Sequence, residues 1–243
     1  MIEAIVVSAY EMEIFKMENY TIKPIAHIHT DFPAKFGLPR QSGAVPELEG
    51  EIVFENEYRE RKAVEGLEEY SRIWVIWQFS ENARDSWSPT VRPPVLGGNK
   101  RVGVFATRSS FRPNALGLSN LALKSIEYTK DRGPVLRVSG IDMMDGTPVF
   151  DIKPYIPAWD SHPKERAGFT GTAEKRLLEV HCSDELLAVL PEEKRQPLLC
   201  ALAQDPRPSY QNDPNRIYGF SYAGVEVRFL VENNALTVVE LAH

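Results

Sequence analysis

The 243-residue sequence has two cysteines, Cys182 and Cys200, and they do not stand at the spacing of a metal-ligand pair. That excludes the dense disulfide framework of a small secreted domain and leaves buried, reduced thiols as the expectation, as suits a cytoplasmic protein. No run approaches the ~18 consecutive apolar residues of a membrane-spanning helix. The first ten residues lack the basic region of a signal peptide, so a soluble, unexported protein is expected. The absence that says most is of acid: residues 86–126 contain no Asp and no Glu. Six positive charges, Arg92, Lys100, Arg101, Arg108, Arg112 and Lys124, fall in that window. The chain has 28 basic and 34 acidic residues, so 22 basic residues oppose 34 acidic ones outside it, a charge of -12. One basic stretch on an acidic protein points to a local anion site, because a local field can oppose the net charge. A plain solvated basic face is the competing reading.

What is present bounds the class. With 43% hydrophobic and 26% charged residues, neither disorder nor a fibrous repeat is indicated. Eighteen prolines against fifteen glycines imply many rigid turns and short elements. The length allows one large domain, or a main domain with a smaller second one. The division expected is an N-terminal extension over residues 1–16, with Met17 as an alternative start, then a barrel domain over 17–168 and a small α+β domain over 169–243.

Residues 22–29 alternate as a strand, with Pro24 favouring an edge and His27 and His29 on one face. With no third ligand adjacent, no metal site is expected there. Residues 32–46, punctuated by proline and glycine, form a loop of a length that tends to be functional. Its candidate contacts are Arg40, Gln41 and Ser42, before Gly43. A short strand at 51–54 and a short helix at 61–70 follow. Residues 71–79 are rich in aromatic and β-branched side chains and predict a central strand, with Trp74 and Trp77 in the core. That strand ends in the polar Ser80, Glu81 and Asn82. Residues 92–98 are a rigid turn without the Gly-Lys-Ser/Thr ending of a phosphate loop. A short strand is expected at 102–107, and 119–129 pairs with 135–141 as a hairpin.

Several short strands spaced by turns favour a closed or nearly closed β-barrel over a doubly wound α/β sheet. The character changes near 168–174. Beyond it the pattern predicts a strand at 176–180, helices at 184–190 and 191–204, and a three-stranded meander over 217–222, 225–231 and 235–241. The whole reads as mainly β, a barrel with a small α+β domain.

Residues 103–118 are hard to explain as packing. Gly103 and Gly117 permit positive φ, and Arg112, preceding Pro113, is biased to an extended backbone. Arg108, Arg112, Thr107, Ser109, Ser110 and Asn114 share this bent segment, where such side chains read as ligand contacts. Residues 140–157 form a second constellation. Asp145-Gly146 is a turn signal, but Asp142, Asp145, Asp151, Lys153 and Tyr155 crowd into otherwise apolar sequence, and charges near a core need partners or a task. A third feature is the proline-stiffened loop with Arg207 and Tyr210.

The motifs Pro39-Arg-Gln-Ser-Gly43, Gly103-Val-Phe-Ala-Thr-Arg-Ser-Ser-Phe-Arg-Pro-Asn-Ala-Leu-Gly117, Asp145-Gly-Thr-Pro-Val-Phe-Asp-Ile-Lys-Pro-Tyr155 and Asp205-Pro-Arg-Pro-Ser-Tyr210 resemble those of the TrmO family. Those proteins are tRNA methyltransferases acting on N(6)-threonylcarbamoyladenosine beside the anticodon. The resemblance runs from about Tyr20 to the C-terminus. It implies a single-sheeted β-barrel with a small C-terminal domain, S-adenosyl-L-methionine as methyl donor, tRNA as partner, no metal, no membrane, and a homodimer. Ser110 and Ala115 depart slightly, standing where many members have proline or another small residue. The resemblance further implies donor contacts from Gln41, Ser42, Gly43, Ser80, Glu81, Arg108, Leu118, Asp142, Asp145, Gly146, Thr147 and Pro148. Substrate contacts would come from Arg40, Phe111, Arg112, Lys153, Arg207 and Tyr210, and the catalytic group would be Asp145, Asp151 and Tyr155.

The implied chemistry suits these side chains. Carboxylates suit a sulfonium cation, so Glu81, Asp142 and Asp145 belong near the donor. RNA phosphates suit the acid-free stretch, and an unstacked base needs an aromatic or guanidinium plane, offered by Phe111, Arg112 and Tyr155. The acceptor nitrogen is delocalised into ring and carbamoyl group, so alignment in a dry pocket and proton removal by Asp151 or Asp145 are what the protein must supply. Arg108 or Lys153 would hold the threonyl carboxylate. Two rivals stand beside this reading. A non-catalytic RNA-binding barrel would not need the acidic 145–151 motif, and a small-molecule methyltransferase would lack salt-dependent tRNA binding.

Overall fold

A computed structural model of the chain describes residues 20–80, 87–97, 100–172, 177–208, 211 and 213–243. The expected N-terminal extension, Met17, Glu81, Asn82, Gly98, Arg176 and Tyr210 lie outside the described residues. In chain order the first strands are β1 (Ala26–Thr30), β2 (Glu49–Phe54), β3 (Arg72–Gln78), β4 (Thr90–Val91), β5 (Val102–Gly103), β6 (Leu116–Thr129), β7 (Gly133–Ser139) and β8 (Thr147–Pro154). Six of them close a barrel in the order β1-β2-β7-β6-β3-β8, and β8 pairs antiparallel with both β1 and β3. β4 and β5 form a separate two-stranded ribbon.

Side-chain alternation explains how the barrel fills. Along β3 the inward residues Ile73, Val75 and Trp77 are buried, while Arg72, Trp74, Ile76 and Gln78 face outward. Trp74, expected in the core, is therefore half-buried on the outer face, edge-on to Tyr155 with ring centroids 5.7 Å apart. Ile28, Ile52, Leu121, Leu136, Val138 and Val149 complete the interior. Gly117 lies opposite Trp77, and a Cβ there would overlap the indole, so this strand position requires glycine.

Two further sequence expectations need correction. The helix expected over 61–70 is a pair of 3-10 turns, Arg61–Val64 and Leu67–Glu69, separated by Gly66 at φ +84°. A left-handed residue at its centre is incompatible with a continuous helix. The strand expected over 102–107 is two residues of β5 followed by a 3-10 turn, Val104–Ala106.

After α1 (Pro157–Asp160) the chain forms β9 (Glu179–His181), α2 (Asp184–Leu187), α3 (Glu192–Ala203), β10 (Tyr218–Tyr222), β11 (Val225–Glu232) and β12 (Ala235–Ala242). The meander turns through Ala223 at φ 50° and Gly224 at φ 78°, as a tight hairpin requires. The sheet has a fourth strand, because β9 pairs parallel with β12.

This sheet packs on the 31–46 loop. Phe32 lies 5.0 Å from Tyr222 and 6.2 Å from Phe220, Phe36 meets Phe220 edge-on, and Lys194 pairs with Asp31. Gly37, at φ +99°, passes so close to Phe220 that a Cβ would enter its ring. The apolar core is continuous through both sheets. Cys182 and Cys200 are free and half-buried, and burial pushes both thiols up, away from reactivity. Among the described residues no helix is long and apolar enough to cross a membrane.

Candidate functional site

β6 is longer than its partner β7. Pairing with β7 ends at Ala122 opposite Ser139, so residues 116–121 keep β3 on one side and, among the described residues, have no strand on the other. That free edge is taken by the loop around Ser42 and by the chain leaving β7. The Asn120 main-chain N–H donates to Ser42 Oγ at 3.1 Å, the Gly43 N–H donates to the Gly140 carbonyl at 2.8 Å, and Ser119 Oγ donates to Asp142 Oδ1 at 2.6 Å. Gly43 and Gly140 both have positive φ, and a Cβ on Gly140 would press on Gly43 at 3.1 Å. Two glycines at this crossing let the backbones meet.

Charge gathers at the same crossing. Arg108 Nη1 donates to Gln41 Oε1 at 2.7 Å, and the Arg108 guanidinium also lies close enough to draw on the Asp142 charge. Removal from water pushes the Asp142 carboxyl up to about 6, against the opposing pull of the Ser119 hydroxyl, the Ser42 and Asp142 main-chain N–H groups and Arg108. Burial thus makes the charged form of Asp142 costlier than that of an exposed aspartate. The loop, β6 and the chain after β7 bring Gln41, Ser42, Gly43, Arg108 and Asp142 together. Leu118, 53% exposed, stands beside them on the outer face of β6.

A second group lies across β3. Leu118 pairs with Ile76 and Ile76 with Asp151, while Asn120 pairs with Trp74 and Trp74 with Lys153. At roughly 5 Å per strand, Leu118 on β6 and Asp151 on β8 are about 10 Å apart on the outer face of the barrel. Lys153 Nζ meets Asp151 Oδ2 at 2.9 Å, a bond that raises the lysine's pKa. Tyr155 continues the row beside Trp74, whose indole N–H donates to Asp160 at 3.1 Å.

The other expected residues have more structural duties. Asp145 accepts from the Thr30 main-chain N–H at 3.1 Å and lies 3.1 Å from His29 Nδ1, and Gly146 donates to the Ile28 carbonyl. Thr147 and Pro148 sit in the β1 ladder opposite Ile28 and His27. These residues close the barrel. Ser80 is exposed just past β3, Arg112 is half-buried with Nη1 3.4 Å from the Thr107 carbonyl, and the Phe111 N–H is held by Ser109 Oγ. His27 pairs with Glu55. Arg207, expected at the substrate, is 8% exposed and bound through Nε and Nη2 to both carboxylate oxygens of Asp205. Its main-chain carbonyl accepts from exposed Arg40 at 2.9 Å.

Sequence reasoning missed Ser119 and Trp77 as parts of the site. Trp77 Nε1 donates to Ser119 Oγ at 2.9 Å, completing a chain from the barrel interior to Asp142. The available signal was a serine at an inward position of an apolar strand, where a hydroxyl must have a partner.

Fold and site together define a single-sheeted β-barrel protein with a carboxylate-centred polar site at its rim and an α+β sheet packed on the site loop. Two family models match the chain: the tRNA-methyltransferase O N-terminal domain over residues 27–161 and the TrmO C-terminal domain over residues 175–243. The chain is 38% identical over 233 residues to the tRNA (adenine(37)-N6)-methyltransferase of Escherichia coli strain K12, covering 93% of this chain and 99% of that one. A relative from Pseudomonas aeruginosa, 37% identical over 219 residues, covering 87% of this chain and 92% of that one, carries S-adenosylmethionine dependence in its name. A crystal structure of TrmO from Pseudomonas aeruginosa superposes with a TM-score of 0.74 at 31% identity, covering 93% of this chain and all of that one. The chain belongs to the TrmO family of tRNA methyltransferases.

Proposed function

We propose that this enzyme uses S-adenosyl-L-methionine to methylate the exocyclic nitrogen of N(6)-threonylcarbamoyladenosine next to the anticodon of tRNA, in the cytoplasm and as a homodimer. The observation that carries this reading is the cluster of Gln41, Ser42, Arg108 and Asp142 on the free edge of β6. A cationic, polar donor fits it: Asp142 offers a carboxylate with little solvent, Gln41 and Ser42 offer neutral polar groups, and Leu118 offers an apolar wall. When bound, the donor supplies an electrophilic methyl group.

The residues of the chain do the rest. Asp142, charged above about pH 6, offsets positive charge at the donor. Arg108, opposite Asp142 and Gln41, orients that pair, and Lys153, exposed beside Asp151, holds the threonyl carboxylate of the acceptor. Asp151, across Ile76 from Leu118, takes the proton of the acceptor nitrogen. Asp145, engaged by Thr30 and His29, keeps the turn before β8. Phe111, Arg112 and Tyr155 supply planes for the unstacked base. The barrel over residues 17–168 carries this chemistry, and the α+β unit over 169–243 holds its loop. Exposed aliphatic side chains on β6, Leu116 and Leu118, favour self-association at this face.

The test is methyl transfer to tRNA from a strain lacking the enzyme, with nucleosides resolved by mass spectrometry. One added methyl on threonylcarbamoyladenosine is expected. Transfer to unmodified adenosine, or none, would overturn the reading.

A further inference from the structure

The β4–β5 ribbon carries an exposed aromatic pair that the proposed chemistry does not use. Trp87 and Phe105 stack with ring centroids 6.2 Å apart and planes 26° from parallel, yet they are 50% and 72% exposed. The ribbon holds them at its base. Thr90 pairs with Gly103, the Val104 N–H donates to the Pro89 carbonyl at 3.0 Å, and Arg101 spans the strands to Thr90 Oγ1 at 2.7 Å. Arg92 and Lys100 are also exposed on this excursion, which lies wholly inside the acid-free window.

Two large rings left in water at one place call for a ligand. Their surroundings select its chemistry. Leu116 and Leu118 on β6 are aliphatic, whereas here aromatic side chains share a stretch of chain with Arg92, Lys100 and Arg101, the nearest carboxylate in sequence being Asp85, two residues before Trp87. A base linked to phosphates satisfies both features, stacking on a ring while its backbone meets the arginines and lysine.

We infer that the Trp87–Phe105 pair is a stacking platform for an unpaired tRNA nucleotide, with Arg92, Lys100 and Arg101 along its phosphates. This rests on the reading of tRNA as substrate. It assigns the ribbon a contact separate from the site at the β6 edge.

The experiment compares full-length wild type, the double variant Trp87→Ala/Phe105→Ala and the single variant Trp87→Phe. Binding of tRNA from a strain lacking the enzyme is followed by fluorescence anisotropy over a salt series, with sedimentation velocity alongside. The double variant is expected to bind about tenfold more weakly with the salt slope unchanged, because stacking is lost and phosphate contacts are kept. Trp87→Phe should stay within about twofold of wild type, since any aromatic face stacks. In methyl transfer, KM for tRNA should rise while kcat holds. Wild-type affinity in the double variant overturns the platform, as does a change in its sedimenting mass, which would make the pair a contact between copies of this chain. Wild-type protein that fails to bind tRNA overturns the substrate reading as well, and so separates the two failures.

Discussion

The Ser119 hydroxyl and the Asp142 carboxylate meet at 2.6 Å, and the same hydroxyl accepts from the Trp77 indole at 2.9 Å. One buried oxygen therefore satisfies a core N–H and supplies a donor to the site. Ser119→Ala leaves the indole N–H without a partner inside the barrel and removes the strongest hydrogen bond to Asp142. It should lower stability by about 1–3 kcal/mol in urea unfolding and weaken S-adenosyl-L-methionine binding in calorimetry. Wild-type values in both would show that water replaces the hydroxyl.

On the function proposed above, Asp142 links activity to pH. Its folded pKa, about 6, lies above the ordinary aspartate value of 3.8, so between those two values the native state holds a proton that the unfolded chain has released. Its contribution to stability is fully present below pH 3.8 and is lost as pH rises through about 6. The shift corresponds to about 2 kcal/mol once partial solvent contact is allowed for. Asp142→Asn keeps an acceptor for Ser119 without the desolvated charge. It is expected to be more stable than wild type at pH 8, with the advantage vanishing near pH 4, and to lose donor binding. Melts across this range check the sign: a gain that grows as pH falls would contradict it. Wild-type methyl transfer should decline below about pH 6 as Asp142 takes up its proton.

Gly117 faces Trp77 with no room for a methyl group. Gly117→Ala must push the indole off Ser119 or spread β3 from β6, and overpacking of this kind costs about 1–3 kcal/mol. Unfolding should start at lower denaturant, and near-ultraviolet circular dichroism should report a changed indole environment. An unchanged spectrum with unchanged stability would mean that the barrel yields more easily than its packing indicates.

The barrel was legible because its signals are local. Alternation in β3 and the hairpin of β6 and β7 are written in adjacent residues, and proline and glycine mark the 32–46 loop. What failed was whatever depended on partners distant in sequence. The parallel pairing of β9 with β12 joins segments more than fifty residues apart, whereas the outward position of Trp74 was available from alternation, which sets it opposite Trp77 on the same strand. The site divided in the same way. Gln41, Ser42, Arg108 and Asp142 stood out as polar residues in constrained segments, and the fold gathers them at one edge. Ser119 was hidden because its role depends on facing Trp77 within the barrel, and the burial of Arg207 against Asp205 is a packing fact that its loop sequence does not announce.

Arg207 makes the last prediction. The Arg40 guanidinium donates to the Arg207 carbonyl at 2.9 Å, and Gln204 Nε2 donates to the Ala44 carbonyl at 3.4 Å. The two bonds secure both ends of the segment that presents Gln41 and Ser42, and both come from the chain after α3. Arg207 is itself held by Asp205, which adopts φ +53°, a conformation that asparagine accepts and alanine resists. Arg207→Ala keeps the carbonyl that Arg40 bonds but frees it from the Asp205 anchor, and the loosened loop should raise the Kd for S-adenosyl-L-methionine by about fivefold, or about 1 kcal/mol, with kcat at saturating donor near wild type. Asp205→Ala should be more damaging than Asp205→Asn, because it loses backbone preference as well as the carboxylate. Initial rates over a donor titration separate positioning from chemistry: a fall in kcat at unchanged donor affinity would place Arg207 against the reacting groups.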